Sequence, residues 1–197
     1  NQPKSGYIFE YAPIDLPSDF PVAKLDLHQL GEEITGLHTH NCLEVGYCYE
    51  GAGIFIVDNK VLPFSQGDIS VIFRNQFHKA QSEKGKTSVW HFISLDPEKL
   101  LSDISIKELS QISNIVKGNS DFINILSPAN HPDLIDIVRV MISELTKCSP
   151  SYHSVVKGLI WAFLRSIGRY MKAEDSPSVH SQYYEILKVI AAINYIS

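Results

Sequence analysis

Residues 36–51, GLHTHNCLEVGYCYEG, indicate the fold and contain the main candidates for chemistry. His38 and His40 are two residues apart, and residues at that spacing on a β-strand point to the same face of the sheet. Glu44 has the same parity and joins them if the strand stays regular, and His78, from a later strand, is a fourth candidate. Three imidazoles and a carboxylate suit iron, manganese, nickel or zinc, and the ligand types alone do not select among these metals.

Short β-strands are predicted on both sides of this stretch, from about Lys24 to Leu95. The segment GIFIVDNKVLPF predicts a hairpin that turns at Asp58-Asn59, because Asp and Asn tolerate the positive φ of tight turns. GDISVIF and TSVWHFISL predict further strands. Several short strands at this spacing favour a sandwich or barrel over alternating strands and helices.

After residue 96 the apolar residues recur every three or four positions, which is typical of amphipathic helices. Helices are predicted over 132–147 and about 151–172, and their apolar faces are interpreted as core or as a surface for pairing with a second copy. The chain therefore divides into a barrel domain over 1–95 (core about 25–95), a helical dimerisation segment over 96–175, and a linker with a further helix over 176–197.

Composition excludes several functions for this chain alone. Seventeen basic residues against 22 acidic ones give a net charge of −5, and the basic residues are scattered, whereas DNA binding requires clustered positive charge. No apolar run approaches the roughly 18 residues of a membrane span. Three cysteines do not form a disulfide framework, and no export signal is visible, so a cytoplasmic location is expected.

The motif spacing resembles that of a known family. His38, His40, Glu44 and Gly51 match the first cupin motif, and the stretch 63–78, which holds Gly67-Asp68 and ends in His78, resembles the second. Within cupins, the order of these features is similar to the sensing domain of AraC-type transcription regulators over about residues 25–95. One departure is that Arg74-Asn75-Gln76 replaces the Pro-x-Gly that commonly precedes the last histidine of the motif.

The resemblance implies a mainly β fold with α-helices: a cupin (jelly-roll) barrel followed by helices that form a homodimer. YEILKVIAAINYIS, at 184–197, resembles the helix that leads into the family's C-terminal helix-turn-helix domain, through which alone DNA would be bound. The expected effector is a small polar metabolite, sugar-like, held at or beside a divalent metal ion at His38, His40, Glu44 and His78. The alternative is a small metal-dependent cupin enzyme, such as a dioxygenase or isomerase.

Two strand faces compete for the lining of the effector pocket. If Glu44 points inward, regular alternation sends Gly46 and Cys48 inward as well. A bulge near Gly46 would instead bring Tyr47 and Tyr49 into the pocket, and glycine inside a strand often marks a bulge. A later strand offers two further candidates that cannot share one face, Trp90 and His91.

Overall fold

The computed structural model describes residues 8–29, 31 and 34–171, with residues 26–29 described by their backbone. The strands are β1 (Ile8–Tyr11), β2 (Val22–Gln29), β3 (Gly36–Thr39), β4 (Leu43–Glu50), β5 (Ala52–Val57), β6 (Lys60–Ser65), β7 (Ile69–Ile72), β8 (His78–Ser82), β9 (Val89–Leu95) and, after two helices, β10 (Ile125–Leu126). The helices are α1 (Pro97–Leu100), α2 (Ile106–Lys117), α3 (Pro132–Lys147) and α4 (Tyr152–Tyr170).

The strands form two five-stranded sheets that face each other. One has the order β1-β3-β8-β5-β6 and the other the order β10-β7-β4-β9-β2. Pairing is antiparallel except between β1 and β3. An apolar cluster with residues from both sheets, including Phe55, Phe64 and Trp90, fills the space between them. The predicted fold class, mainly β with α-helices in a jelly-roll arrangement, is confirmed.

The β5–β6 hairpin turns at the predicted Asp58-Asn59 pair. Asp58 takes a φ of 50°, a left-handed conformation that Asp tolerates better than most residues. Its carboxylate accepts hydrogen bonds from the Phe77 backbone amide at 3.0 Å and from the Gln76 side chain at 3.1 Å. The turn is therefore attached to the loop that precedes β8.

Regular alternation along β4 decides which residues enter the barrel. Cys48 belongs to the apolar cluster between the sheets, whereas Val45 belongs to the cluster on the opposite face, under the helices. The register shift in β4 lies between Cys48 and Glu50, so the alternation is regular through Gly46, Tyr47 and Cys48. Gly46 has a packing role here, because a Cβ at this position would lie 2.6 Å from the Phe92 ring.

The helical half, residues 96–171, covers the outer face of the β4-containing sheet. Helix α3 has the predicted bounds, and α4 begins and ends within two residues of its prediction. Helix α2 was not predicted; its start is marked by Ser105, whose hydroxyl accepts from the Glu108 amide at 3.3 Å, as in a capping box.

The structure assigns the apolar faces of α3 and α4 to the core. Nine of their residues are buried in one cluster with the outer face of the sheet, so these side chains are unavailable to a second copy. The faces that sequence analysis left open as core or pairing surface are therefore core. The nine buried residues are Leu134, Ile135, Val138, Met141, Val156, Ile160, Phe163, Leu164 and Ile167.

The predicted linker and last helix, from residue 176 to 197, lie outside the described residues.

Candidate functional site

The fold brings His38, His40, Glu44 and His78 together, and we name them the histidine–glutamate cluster. His38 on β3 lies directly opposite His78 on β8 in the antiparallel register. His40 follows β3 immediately, and Glu44 projects from β4 in the facing sheet. The cluster therefore bridges the two sheets, with Glu44 and His78 only 5% and 2% exposed.

The four side chains are close enough to share one ligand. One donor nitrogen from each of the three histidines lies within 4.8 Å of the others. The two Glu44 oxygens lie 3.4 Å from His78 Nε2 and 3.5 Å from His40 Nε2. Two nitrogens bound to one transition metal at about 2.1 Å lie at most about 4.2 Å apart. The observed donors are therefore within a small side-chain adjustment of a coordination site.

Hydrogen bonds to the backbone orient two of the imidazoles. His40 Nδ1 contacts the Ala12 carbonyl oxygen, and His78 Nδ1 lies 3.0 Å from the Gln76 carbonyl oxygen. A carbonyl oxygen only accepts, so each Nδ1 carries the hydrogen, and in the neutral ring Nε2 then presents a lone pair. Carbonyl partners of this kind orient metal-binding histidines in general.

This arrangement leaves the interior of the cluster with acceptors that face each other. When neutral, the His40 and His78 rings direct Nε2 lone pairs toward the carboxylate of Glu44, and among the described residues His78 Nε2 has no hydrogen-bond partner. A cation between nitrogen and oxygen, either a proton or a metal ion, relieves that opposition. The donor set thus fits a divalent transition metal.

Electrostatics within the cluster favour a neutral His38 and an ionised Glu44. Burial, with the neighbouring His78 and His40, lowers the pKa of His38 from 6.5 to about 3. Burial by itself raises the pKa of Glu44, but the adjacent imidazoles of His78, His40 and His38 outweigh the burial and leave this pKa below its ordinary value. Neutral imidazole and ionised carboxylate are the forms that bind metals.

We expect the metal-free protein to lose stability in acid because of His38. Its pKa is lower in the folded chain than in the unfolded chain, so the unfolded chain binds more protons and the stabilising contribution is complete only above about pH 6.5. That contribution is lost progressively as the pH falls from 6.5 toward 3. Urea unfolding of chelator-treated protein from about pH 7 to about pH 4 should show a flatter pH dependence for His38→Gln than for wild type. Parallel curves for wild type and His38→Gln would contradict this role of His38. The control is His153→Gln, which replaces an exposed histidine on α4.

A cavity of about 180 Å³ adjoins the cluster. Three histidines and Glu44 form its polar end, and apolar side chains from four strands form much of the remaining wall. Phe55 contributes to both parts, since its ring also stacks on His78 with the ring centres 6.2 Å apart. The lining residues beyond the cluster are Leu25, Phe55, Lys79, Ala80 and Phe92.

The predicted pocket residues lie elsewhere. Gly46 and Cys48 are on the inner face but behind the cavity wall, and buried Trp90 stacks on Phe92 with ring centres 5.6 Å apart, so it supports the wall without lining it. Tyr47 and Tyr49 belong to the other face of β4, and the sequence-based suggestion that a bulge brings them inward is wrong.

His91 is a further correction. It pairs with Tyr47 in the sheet register and its ring contacts Tyr49, so it also lies on the outer face. Sequence analysis missed five lining residues, Leu25, Phe55, Lys79, Ala80 and Phe92. Only the alternation within their strands could have suggested Phe55 and Phe92, and alternation does not say which face is inside.

Comparisons with known proteins agree with this architecture. The family model described as the AraC-like ligand binding domain matches residues 27–164. No curated protein matches the chain in sequence. Among solved structures, ToxT from Vibrio cholerae O395 bound to (E)-4-(8-methylnaphthalen-1-yl)but-3-enoic acid is 14% identical with a TM-score of 0.51, covering 76% of this chain and 57% of ToxT.

Two further structures are similar. The P21 crystal form of ToxT from Vibrio cholerae is 11% identical with a TM-score of 0.53, covering 80% of this chain and 61% of that one. A cupin protein from Bacteroides fragilis is 14% identical with a TM-score of 0.34, covering 43% of this chain and 68% of its own. The chain spans about three fifths of the length of ToxT, and at these identities the likeness to ToxT shows the fold alone. Because the family model matches more than half of the chain, this protein belongs to the AraC-like ligand-binding domain family.

Proposed function

We propose that this chain is the effector-sensing region of a transcription regulator and binds a small molecule beside the histidine–glutamate cluster. The observation that carries the proposal is the cavity between the two sheets, because its polar end is formed by that cluster in a domain of a ligand-binding family. The effector can regulate only if it binds two arrangements of the chain with different affinities.

The lining indicates the chemistry of the effector. Phe55, Phe92, Leu25 and Ala80 offer apolar walls, while the polar lining residues are the cluster and Lys79. A sugar-like effector would stack an apolar face on the aromatic rings, and a small organic acid would bury its hydrocarbon part against the same walls. In both cases the oxygen atoms of the effector lie toward the cluster. ToxT, of similar fold, was solved with a substituted butenoic acid, which is compatible with the second class.

We propose that His38, His40, Glu44 and His78 hold a divalent transition metal, one of zinc, nickel, manganese or iron. Such a metal supplies a Lewis acid that attracts an oxygen atom of the effector. The chain's own contribution is the orientation of the imidazoles by backbone carbonyls and the exclusion of water by Phe55 and Phe92.

We propose two macromolecular partners for this chain, DNA and a second copy of the chain. With a net charge of −5, this chain is proposed to reach DNA only through an additional C-terminal domain. We also propose a homodimer in which α3 and α4 contribute their outer faces, and a cytoplasmic location. Within residues 8–29, 31 and 34–171, none of the helices combines the length and apolar character needed to cross a membrane.

Thermal unfolding with a panel of probes tests the effector proposal. Glucose and xylose represent sugars, and benzoate, phenylacetate and hexanoate represent organic acids, each with and without Zn²⁺. A probe at 100 times its Kd stabilises the folded state by about 2.7 kcal/mol and raises the Tm by several degrees. Ala80→Leu, which adds bulk to the cavity wall, should abolish the shift, whereas Gln81→Leu on the other face of β8 should preserve it. An equal shift in both variants would contradict binding in this cavity.

The donor set, three imidazoles and a carboxylate beside a cavity, also supports the alternative that the protein is an enzyme. A cupin dioxygenase or isomerase would use such a set. Incubating the metal-loaded protein with any probe that shifts the Tm separates the two functions. Unchanged probe and unchanged dissolved oxygen support a sensor. Turnover of the probe that is lost in His78→Ala would favour the enzyme.

A further inference from the structure

The loop that precedes His78 is joined to the helical half by a buried pair of amide side chains, Gln76 and Asn124. The Gln76 side-chain oxygen accepts from Asn124 Nδ2 at 3.0 Å and from the Phe73 backbone amide at 2.9 Å, and its Nε2 donates to Asp58 at 3.1 Å. Gln76 is 9% exposed and Asn124 is fully buried. We name Gln76 and Asn124 the amide pair.

Asn124 also forms hydrogen bonds with β7 and with Lys60. Its Nδ2 also donates to the Val71 carbonyl at 2.7 Å, and its backbone oxygen accepts from the Val71 amide at 2.8 Å. Its side-chain oxygen accepts from Lys60, whose ammonium also donates to the backbone oxygens of Phe122 at 2.9 Å and Ser120 at 3.3 Å. The amide pair therefore links β7, the start of β6 and the segment between α2 and α3.

The same loop touches the histidine–glutamate cluster twice. The backbone oxygen of Gln76 lies 3.0 Å from His78 Nδ1, and the backbone amide of Asn75 donates to the His40 carbonyl at 2.9 Å. Asn75 adopts a φ of 66°, which Asn tolerates well. The residues that replace the usual Pro-x-Gly of the family thus hold two of the four cluster residues.

Residues 118–126, the connecting segment, carry this contact toward the helices. Phe122 packs edge-on against Phe73 with ring centres 5.1 Å apart, and Gly118, at the end of α2, has room for no side chain because a Cβ would lie 2.7 Å from the Phe73 ring. A displacement of the loop would leave several buried hydrogen-bonding groups unpaired unless the connecting segment moved with it.

We infer that Gln76 and Asn124 are positioning residues, which hold His78 in its metal-binding tautomer and couple its position to the connecting segment. The inference rests on the proposed function, since it assigns the path from the effector site to the helical half. Gln76 acts through its carbonyl on the imidazole and through its side chain on Asn124. Neither residue contacts the cavity itself.

The Gln76→Met variant tests the inference, because methionine has a similar length but makes none of the three side-chain hydrogen bonds. We expect Co²⁺ affinity to fall about 10–100-fold, as on loss of other groups that orient metal-binding histidines, with an altered visible spectrum of bound Co²⁺. In wild type, Co²⁺ should slow amide hydrogen exchange of the connecting segment, and this effect should be lost in the variant. Gln66→Met, at an exposed turn before β7, is the matched control and should resemble wild type.

Two further measurements keep the test decisive. Gln76→Glu combined with Asp58→Asn retains the acceptor for Phe73 and Asn124 and avoids two facing carboxylates, so it should restore most of the exchange response. This double variant keeps the test informative if the Gln76→Met protein fails to fold. The imidazole nitrogen spectrum of metal-free protein should show His78 with its hydrogen on Nδ1 in wild type and a tautomer mixture in Gln76→Met. Wild-type affinity, spectrum and exchange in Gln76→Met would overturn the inference. Wild-type protein that binds no Co²⁺ would contradict the proposed metal. In that case an unchanged His78 tautomer in Gln76→Met would by itself overturn the positioning role.

Discussion

His78→Ala is expected to remove tight binding of a divalent transition metal. The variant deletes a buried imidazole whose Nε2 faces the Glu44 carboxylate and has no hydrogen-bond partner in the part of the chain that the structure describes. The fall in affinity should exceed the roughly 10–100-fold typical of losing a group that only orients a metal-binding histidine. Elemental analysis after dialysis against limiting Zn²⁺, together with a competition titration, measures it. The double variant His38→Ala/His40→Ala should retain no stoichiometric metal.

The control for this result is His153→Ala. His153 is an exposed histidine on α4 that stacks on Phe20, away from the cluster, so the variant loses an imidazole without changing the proposed ligands. It should bind metal as wild type does. Equal metal content in wild type, His78→Ala and His38→Ala/His40→Ala would show that the cluster does not hold a metal, even if the cavity still bound an organic effector.

Val138→Asp is expected to unfold the protein. Val138 is fully buried in the apolar cluster that α3 shares with the β-sheet. A carboxylate at this position would be surrounded by apolar side chains. Burying an unpaired charge is among the substitutions that cost more than about 4 kcal/mol, a large part of the 5–15 kcal/mol that stabilises a typical domain. Urea unfolding followed by circular dichroism should show a greatly reduced midpoint or no cooperative transition.

Val140→Asp, two residues along the same helix, separates folding from pairing. Val140 is 45% exposed, so the free energy of unfolding should change by no more than about 0.5 kcal/mol. Sedimentation of this variant tests whether the outer face of α3 contributes to the proposed homodimer: a dimer that dissociates while stability is unchanged supports it. A stable, folded Val138→Asp protein would contradict the assignment of the apolar helix faces to the core.

Much of the site was predictable from residues near one another in sequence. The His-x-His spacing predicted that His38 and His40 lie together, and they do. The regular strand expected to carry Glu44 on the same face is wrong, because β3 ends at Thr39 and Glu44 reaches the cluster from β4 in the facing sheet. His78 was a fourth candidate from a later strand, and the resemblance supported placing it with the others, because strand periodicity says nothing about which strands become neighbours. The bounds of α3 followed from its period of three and four.

The cavity lining was not predictable in the same way. Period-two alternation divides β4 and β9 into two faces each, but both faces of these strands are apolar enough to be buried. One face meets the opposite sheet and the other meets the helical half, so Phe92 lies inside while Tyr47 packs toward the helices. The position of the register shift, after Cys48, completes the choice.

The sequence by itself determined the ligand types, the closeness of His38 and His40 and the change from strand to helix near residue 96. Tertiary structure decided which face of each strand encloses the cavity, that the apolar faces of α3 and α4 are core, and that Gln76 meets Asn124 across 48 residues of chain. The physical reason is range. Backbone periodicity and turn preferences act over a few residues, whereas the environment of a side chain is set by whatever distant segment packs against it.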